Sequence, residues 1–221
     1  VSTLNDDTII QALLLLVQRC PRLIHRCYWA GTSSIAVEEL HHRESFDLDF
    51  HTRVAHEKTT PLMIELQSAF PDSFKVLQSP DEYGSGFQGL LMLPSRAEIT
   101  LEVLSNYETV SECDIQEAQC VPGIKRVTLS RYLVDKIQCV AERSEARDLV
   151  DIMAVLQHVP VLESMARQAL SEQDALIVTE RLMGWTDDAI DDDLAAYRDV
   201  DNRIAKRCRD MLLTWLKELA S

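Results

Sequence analysis

Positive charge is scarce in this chain. Lysine and arginine number 22 against 36 aspartates and glutamates, a formal net charge of −14 over 221 residues. Contacts to phosphate backbones need lysine or arginine at the surface, so this balance disfavours non-specific nucleic-acid binding. A polyanionic substrate would require a local basic patch or a basic partner. Long hydrophobic runs are missing as well. The apolar stretch Ala12 to Val17 is far shorter than the ~20 residues of a membrane span. It follows Asp6 and Asp7 rather than lysines, which argues against a signal peptide and for a cytoplasmic protein with no membrane role. The six cysteines include no Cys-x-x-Cys pair and no histidines at zinc-finger spacing, which predicts reduced thiols. Internal repeats and low-complexity segments are absent. Glycine is sparse, and Gly184 is the only one after Gly123.

What is present suits a folded protein. Hydrophobic residues make up 46% of the chain, enough for one core with an appended subdomain or for two small domains. Helical spacing predicts a first helix over Asp7 to Arg19, after the capping cluster Asn5-Asp6-Asp7, with Pro21 closing it. A short strand over Cys27 to Ala30 leads into Gly31-Thr32-Ser33-Ser34 and a brief helix to Leu40. Further strands are expected at Phe46 to Phe50, Phe74 to Gln78, Phe87 to Leu93 and Ile99 to Leu104, and a helix at Thr60 to Phe70. From Ser130 onward the pattern is almost all helix: Ser130 to Arg143, Glu145 to Leu156, Pro160 to Leu170, Glu172 to Leu182, and Asp188 to Ala220 with a break. The fold class is therefore α+β: a small mixed-sheet core over residues 1–122, then a helical subdomain over residues 123–221.

One segment carries most of the chemistry. In His41-His42-Arg43-Glu44-Ser45-Phe46-Asp47-Leu48-Asp49-Phe50, the apolar Phe46, Leu48 and Phe50 alternate with the two aspartates. Period-2 geometry sends both carboxylates to one face of a strand. Desolvating lone carboxylates costs several kcal/mol unless a cation or hydrogen bonds compensate. A hard divalent cation such as Mg²⁺ takes oxygen ligands and substrate phosphates together, and would meet that need. Glu102, sharing a strand face with Thr100, is the candidate third carboxylate, with an exposed strand acid as the alternative. Small-residue amides and hydroxyls in the upstream Gly-Thr-Ser turn could cradle a phosphate. Arg43 reads equally as a substrate contact or as an ion-pair partner that orients an aspartate. His41 and His42 suit capping or packing better than Mg²⁺, and the methionines Met92, Met153 and Met183 read as core filler.

Ala30-Gly31-Thr32-Ser33 together with His42-Arg43-Glu44-Ser45-Phe46-Asp47-Leu48-Asp49-Phe50 resembles the Gly-Gly-Thr and His-Arg-x-Ser-x-Asp-Leu-Asp-Phe elements of the AbiEii/AbiGii toxin-type nucleotidyltransferases. That family lies in the DNA polymerase β-like nucleotidyltransferase superfamily. Lys136 through Arg143 to Arg147-Asp148-Leu149-Val150-Asp151 resembles its helical Lys…Arg…Arg-Asp-x-x-Asp element. Ala30 stands where the pattern has glycine, and Glu102 where family members often carry aspartate.

The resemblance implies a nucleotidyltransferase core and transfer of a nucleoside monophosphate from an NTP to an acceptor hydroxyl. It assigns Asp47, Asp49 and Glu102 to Mg²⁺, Gly31, Thr32 and Ser33 to the triphosphate, and Lys136 to nucleotide phosphates. It places Asp151 near the catalytic centre, and Arg43, Ser45, Arg143 and Arg147 among substrate contacts. It also implies the toxin of a toxin–antitoxin pair, with transfer RNA or protein as acceptor and a cognate antitoxin as partner. Two alternatives stay open: a catalytically silent nucleotide- or partner-binding relative, and a transferase acting on a small, cationic antibiotic. Arg126, Arg131, Lys136, Arg143 and Arg147 are expected to form the basic cluster that holds the acceptor, with the last three on one helix face.

Overall fold

The computed structural model describes residues 4–197 and 200–219, with side chains from Asp6 onward. The side chain of Asn5 and the expected helix end at Ala220 lie outside the described residues. The chain divides into two compact units, Val1–Thr128 and Leu129–Ser221.

The first unit is built on a seven-stranded mixed sheet. Helices α1 (Leu4–Arg19) and α2 (Pro21–Arg26) precede strand β1 (Cys27–Ala30), and α3 (Gly31–Ile35) runs directly into a π-helical turn, Ala36–Leu40. Then come β2 (Asp47–Ala55), α4 (Thr60–Ala69), β3 (Phe74–Gln78), β4 (Gly86–Met92), β5 (Glu98–Asn106), β6 (Ile115–Glu117) and β7 (Lys125–Val127). The strand order is β3-β4-β5-β2-β1-β7-β6, with β2 parallel to β5, β1 parallel to β7, and the other neighbours antiparallel.

Alternation within the central strands separates the two faces. Leu48 and Phe50 of β2, and Ile99, Leu101 and Val103 of β5, are buried in one cluster with Ile9, Leu13 and Leu16 of α1, Leu23 of α2, and Leu62 and Leu66 of α4. Burying each such side chain contributes about 1.5–3 kcal/mol, which holds these helices against one sheet face. Asp47, Asp49, Thr100 and Glu102 alternate with that set and are only partly buried.

Several local expectations are corrected. Pro21 starts α2 rather than merely ending α1, because proline is well suited to the first helical turn, where its missing N–H has no partner to lose. The helix after β1 begins at Gly31, not Ser34, so Gly-Thr-Ser forms its first turn. Strand β2 begins at Asp47, which leaves Phe46 outside the alternation and 60% exposed. Strands β6 and β7 have three residues each, too few to display a period. Met92 and Met183 are exposed and only Met153 is buried.

The second unit is helical: α5 (Leu129–Glu142), α6 (Ala146–His158), a 3₁₀ turn at Pro160–Leu162, α7 (Glu163–Ser171), α8 (Ala175–Gly184), α9 (Asp187–Leu194) and α10 (Asn202–Leu219). Helix α6 packs against α5, α9 and α10, and most of its residues are buried. Asp174 and Thr186 cap α8 and α9 through their side-chain oxygens, and Asp193 accepts from the N–H of Ala146 at the start of α6. Among the described residues no single helix is long and apolar enough to cross a membrane. All six cysteines are free thiols.

Candidate active site

Strands β1, β2 and β5 bring the first group of sequence candidates together. Asp47 pairs with Thr100 and Asp49 with Glu102 across the parallel β2–β5 ladder, while Ala30 pairs with Asp49 on the other side. Residues directly opposite in a ladder share a face. Asp49 therefore stands between the end of β1, where the Gly-Thr-Ser turn begins, and Glu102.

Gly31 shows how tightly this corner is built. Its φ is +66°, a left-handed backbone conformation that side chains rarely tolerate. A Cβ placed there would lie 1.9 Å from Oδ2 of Asp49. Glycine thus lets the backbone reverse at the end of β1 and leaves room for the carboxylate beside it.

The hydroxyls of the turn face inward. Ser33 is fully buried and its Oγ accepts from the Trp29 indole at 2.9 Å. The Ser34 hydroxyl donates to the Gly31 carbonyl at 2.8 Å. Thr32 accepts from Nη2 of Arg43 at 2.8 Å. The Ser33 hydroxyl is engaged by the Trp29 indole, while a first helical turn still has N–H groups without intrahelical partners to offer a phosphate.

Arg43 is 8% exposed and also donates to the Glu44 carbonyl, so it ties the segment before β2 to α3. Ser45 donates to Oδ1 of Asp47 at 3.0 Å. These bonds give Arg43 and Ser45 a role in orienting the turn and Asp47.

The helical candidates form a second buried cluster. Asp148 and Asp151 on α6 are fully buried, which demands cations. Lys136 Nζ lies 2.7 Å from Asp148 and 2.8 Å from Asp151. Arg143 donates to both oxygens of Asp148, from Nε and Nη2, each at 2.9 Å. Burial pulls the Lys136 ammonium toward deprotonation, but the charges of Asp151, Tyr132 and Asp148 outweigh it and hold the pKa well above the ordinary lysine value. The hydrogen bond to Asp148, against partial burial, likewise raises Arg143.

The expected basic cluster does not form an uncompensated patch. Arg126 is fully buried in the first unit against Glu38 and Glu39. Arg131 pairs with Asp135 and Arg147 with Glu145. Helix α5 ends at Glu142 and α6 begins at Ala146, so Lys136, Arg143 and Arg147 do not share one continuous helix face. Sequence reasoning missed both the carboxylates opposite Arg126 and the importance of Asp148. The charge of Glu38-Glu39 in a short helix gave no sign of a partner 87 residues beyond Glu39.

Among the described residues no three His, Cys, Asp or Glu side chains converge into a ready-made metal cage. The donor set still suits Mg²⁺, which commonly takes one or two protein carboxylates and completes its shell with water and substrate phosphates. Asp47 and Asp49 supply oxygen donors of that kind, and the Asp49 carboxylate takes up the room left by the absent side chain at Gly31.

No family model and no curated protein matches the chain. Similarity to solved structures is extensive in coverage and low in identity. JHP933 of Helicobacter pylori aligns over 98% of this chain and 93% of its own at 19% identity, TM-score 0.54. A candidate nucleotidyltransferase of H. pylori aligns over 98% and 96% at 18% identity, TM-score 0.55. MenT4, a nucleotidyltransferase toxin of Mycobacterium tuberculosis, aligns over 97% and 83% at 15% identity, TM-score 0.63. The mixed sheet followed by a helical region thus has the fold found in nucleotidyltransferases.

Proposed function

We propose that the protein is an NTP-dependent nucleotidyltransferase requiring Mg²⁺ and acting as a toxin of the AbiEii/AbiGii type. The observation that carries this reading is the alignment of Asp49 between Ala30 and Glu102, with Asp47 on the same strand and Gly31 packed on the Asp49 carboxylate. In the proposed reaction an acceptor hydroxyl oxygen bonds to the α-phosphorus of the NTP. The bond from that phosphorus to the bridging oxygen of the β-phosphate breaks, pyrophosphate leaves, and the hydroxyl proton is lost to solvent.

Asp47 and Asp49 would hold the Mg²⁺, with Glu102 as third carboxylate. Bound there, the ion would neutralise phosphate charge and favour the departing pyrophosphate. Ser45 keeps Asp47 oriented, and the first turn of α3 would receive the triphosphate. Positioning and charge neutralisation account for most of the rate in such a site.

Each of the five basic residues considered for acceptor binding already faces a carboxylate. Together with the net charge of −14, this favours a protein hydroxyl over RNA as acceptor. A cognate antitoxin is the partner this reading implies. The experiment is incubation with α-³²P-labelled NTPs and bacterial extract, with Mg²⁺ or with EDTA, followed by separation of RNA and protein. Label entering protein only with Mg²⁺ supports the reading. Label in RNA would overturn the acceptor, and no incorporation with any NTP would favour a catalytically silent relative.

A further inference from the structure

Arg126 is a large, fully buried cation with no place in the reaction as proposed. Its Nε donates to Oε2 of Glu38 at 2.6 Å, its Nη2 donates to Oε1 of Glu39, and its Nη1 donates to the Val127 carbonyl at 3.0 Å. The Glu38 side chain is itself buried, and its other oxygen accepts from the N–H of Cys120 at 2.9 Å. Both glutamates lie in the π-helical turn Ala36–Leu40, which continues α3 without a break and ends at His41 in a left-handed conformation. Such turns are rare and occur frequently at functional sites.

The topology gives the clamp a definite object. Arg126 sits on β7, where it pairs with Trp29 of β1, and β1 leads into Gly31. The path from Trp29 through Gly31, along α3 and the π-turn to Glu38 and Glu39, is therefore closed by the Arg126 side chain onto β7, the strand paired with its starting strand β1. The Trp29 indole also holds Ser33 within that closed path. Two charge-assisted bonds at one end and a sheet pairing at the other leave the turn little freedom to tilt.

We infer that Arg126, gripping Glu38 and Glu39, is a positioning residue for the Gly31–Ser33 turn, setting its geometry for the NTP phosphates. The inference rests on the nucleotidyltransferase reading for its ligand. Removing the buried guanidinium would strand two carboxylates and endanger the fold, so the informative position is Glu39, whose side chain is 22% exposed. Glu39→Ala breaks one arm of the clamp, and Glu39→Gln retains a neutral acceptor for Arg126.

Three quantities would be measured on the full chain: amide hydrogen exchange over residues 31–41, KM and kcat for NTP, and thermal stability. Glu39→Ala is expected to speed exchange in that segment about tenfold, through local rather than global opening. It is expected to raise KM for NTP about 5- to 20-fold with kcat changed less than about twofold, the signature of binding lost equally from the ground state and the transition state. Glu39→Gln should recover most of both effects. A folded Glu39→Ala variant with wild-type exchange and NTP KM would overturn the inference. So would exchange that rises uniformly across the unit, or a loss confined to kcat. Failure of the underlying reading looks different: the wild-type protein would then transfer no nucleotide at all.

Discussion

The Asp49 carboxylate occupies the space that any side chain at position 31 would need. Oδ2 lies 1.9 Å from where a Cβ on Gly31 would stand, and the Gly31 backbone has a φ of +66°. Gly31→Ala must therefore displace a proposed metal-binding carboxylate and also adopt a strained backbone, at about 1–2 kcal/mol for the backbone alone. The expected outcome is lower thermal stability and loss of nucleotide transfer. Wild-type transfer by Gly31→Ala would show that the carboxylate position is unimportant.

Asp47→Asn and Asp49→Asn are expected to abolish transfer while preserving the fold. Each amide retains an oxygen, so the substituted side chain at position 47 could still accept from Ser45, whereas removing one charge relieves repulsion within the acidic pair. Stability without Mg²⁺ should therefore equal or exceed wild type in a thermal melt. Incorporation of labelled nucleotide at the wild-type rate by either variant would sink the assignment of the pair to metal.

Glu102→Gln is expected to lower kcat/KM on the order of 10²-fold, and Glu102→Asp by less. The register supplies the reason: Glu102 pairs directly with Asp49, so its carboxylate faces the same side of the sheet. A shortened but charged side chain keeps part of that field, and a neutral one does not. Equal activity of Glu102→Gln and wild type would make Glu102 an ordinary strand acid.

In the helical unit, Asp148→Ala is expected to destabilise by about 3–5 kcal/mol, because it leaves Lys136 without one carboxylate partner and Arg143 without its bidentate one. Urea unfolding measures this directly. Asp148→Ala with an unchanged midpoint would mean that the buried network contributes no net stability.

Stability is expected to fall as pH rises above about 9. Burial, reinforced by the charge of Glu65, pushes the Cys20 thiol up to about 12, and burial with the charge of Asp148 pushes Cys139 up to about 11, from an ordinary 9.0. Above pH 9 the unfolded chain loses these thiol protons while the folded chain keeps them, so unfolding becomes favoured. Each thiol contributes a slope of up to about 1.4 kcal/mol per pH unit until its folded pKa is reached. Lys136, raised in the fold, adds loss in the same direction above 10.5. Urea midpoints that stay level from pH 8 to 11 would contradict this.

By itself the sequence determined the features that depend on local period. Alternation around Leu48 and Phe50 placed Asp47 and Asp49 on one face, and the 3.6-residue pattern after Ser130 marked a helical half. The Gly-Thr-Ser and Asp-Leu-Asp elements stood out because a turn residue and a paired acid are recognisable within a few positions.

Only the tertiary structure decided what depends on residues far apart in the chain. The β2–β5 register set Glu102 beside Asp49 across 53 positions, and no local pattern encodes which strands become neighbours. Buried charge follows the same rule. Lys136, Arg143 and Arg126 read as a basic surface in sequence, yet burial of Asp148, Asp151 and Glu38 required cations inside and drew each of them to a carboxylate. Sequence displays charge, but the cost of desolvating it arises only when the chain closes over it.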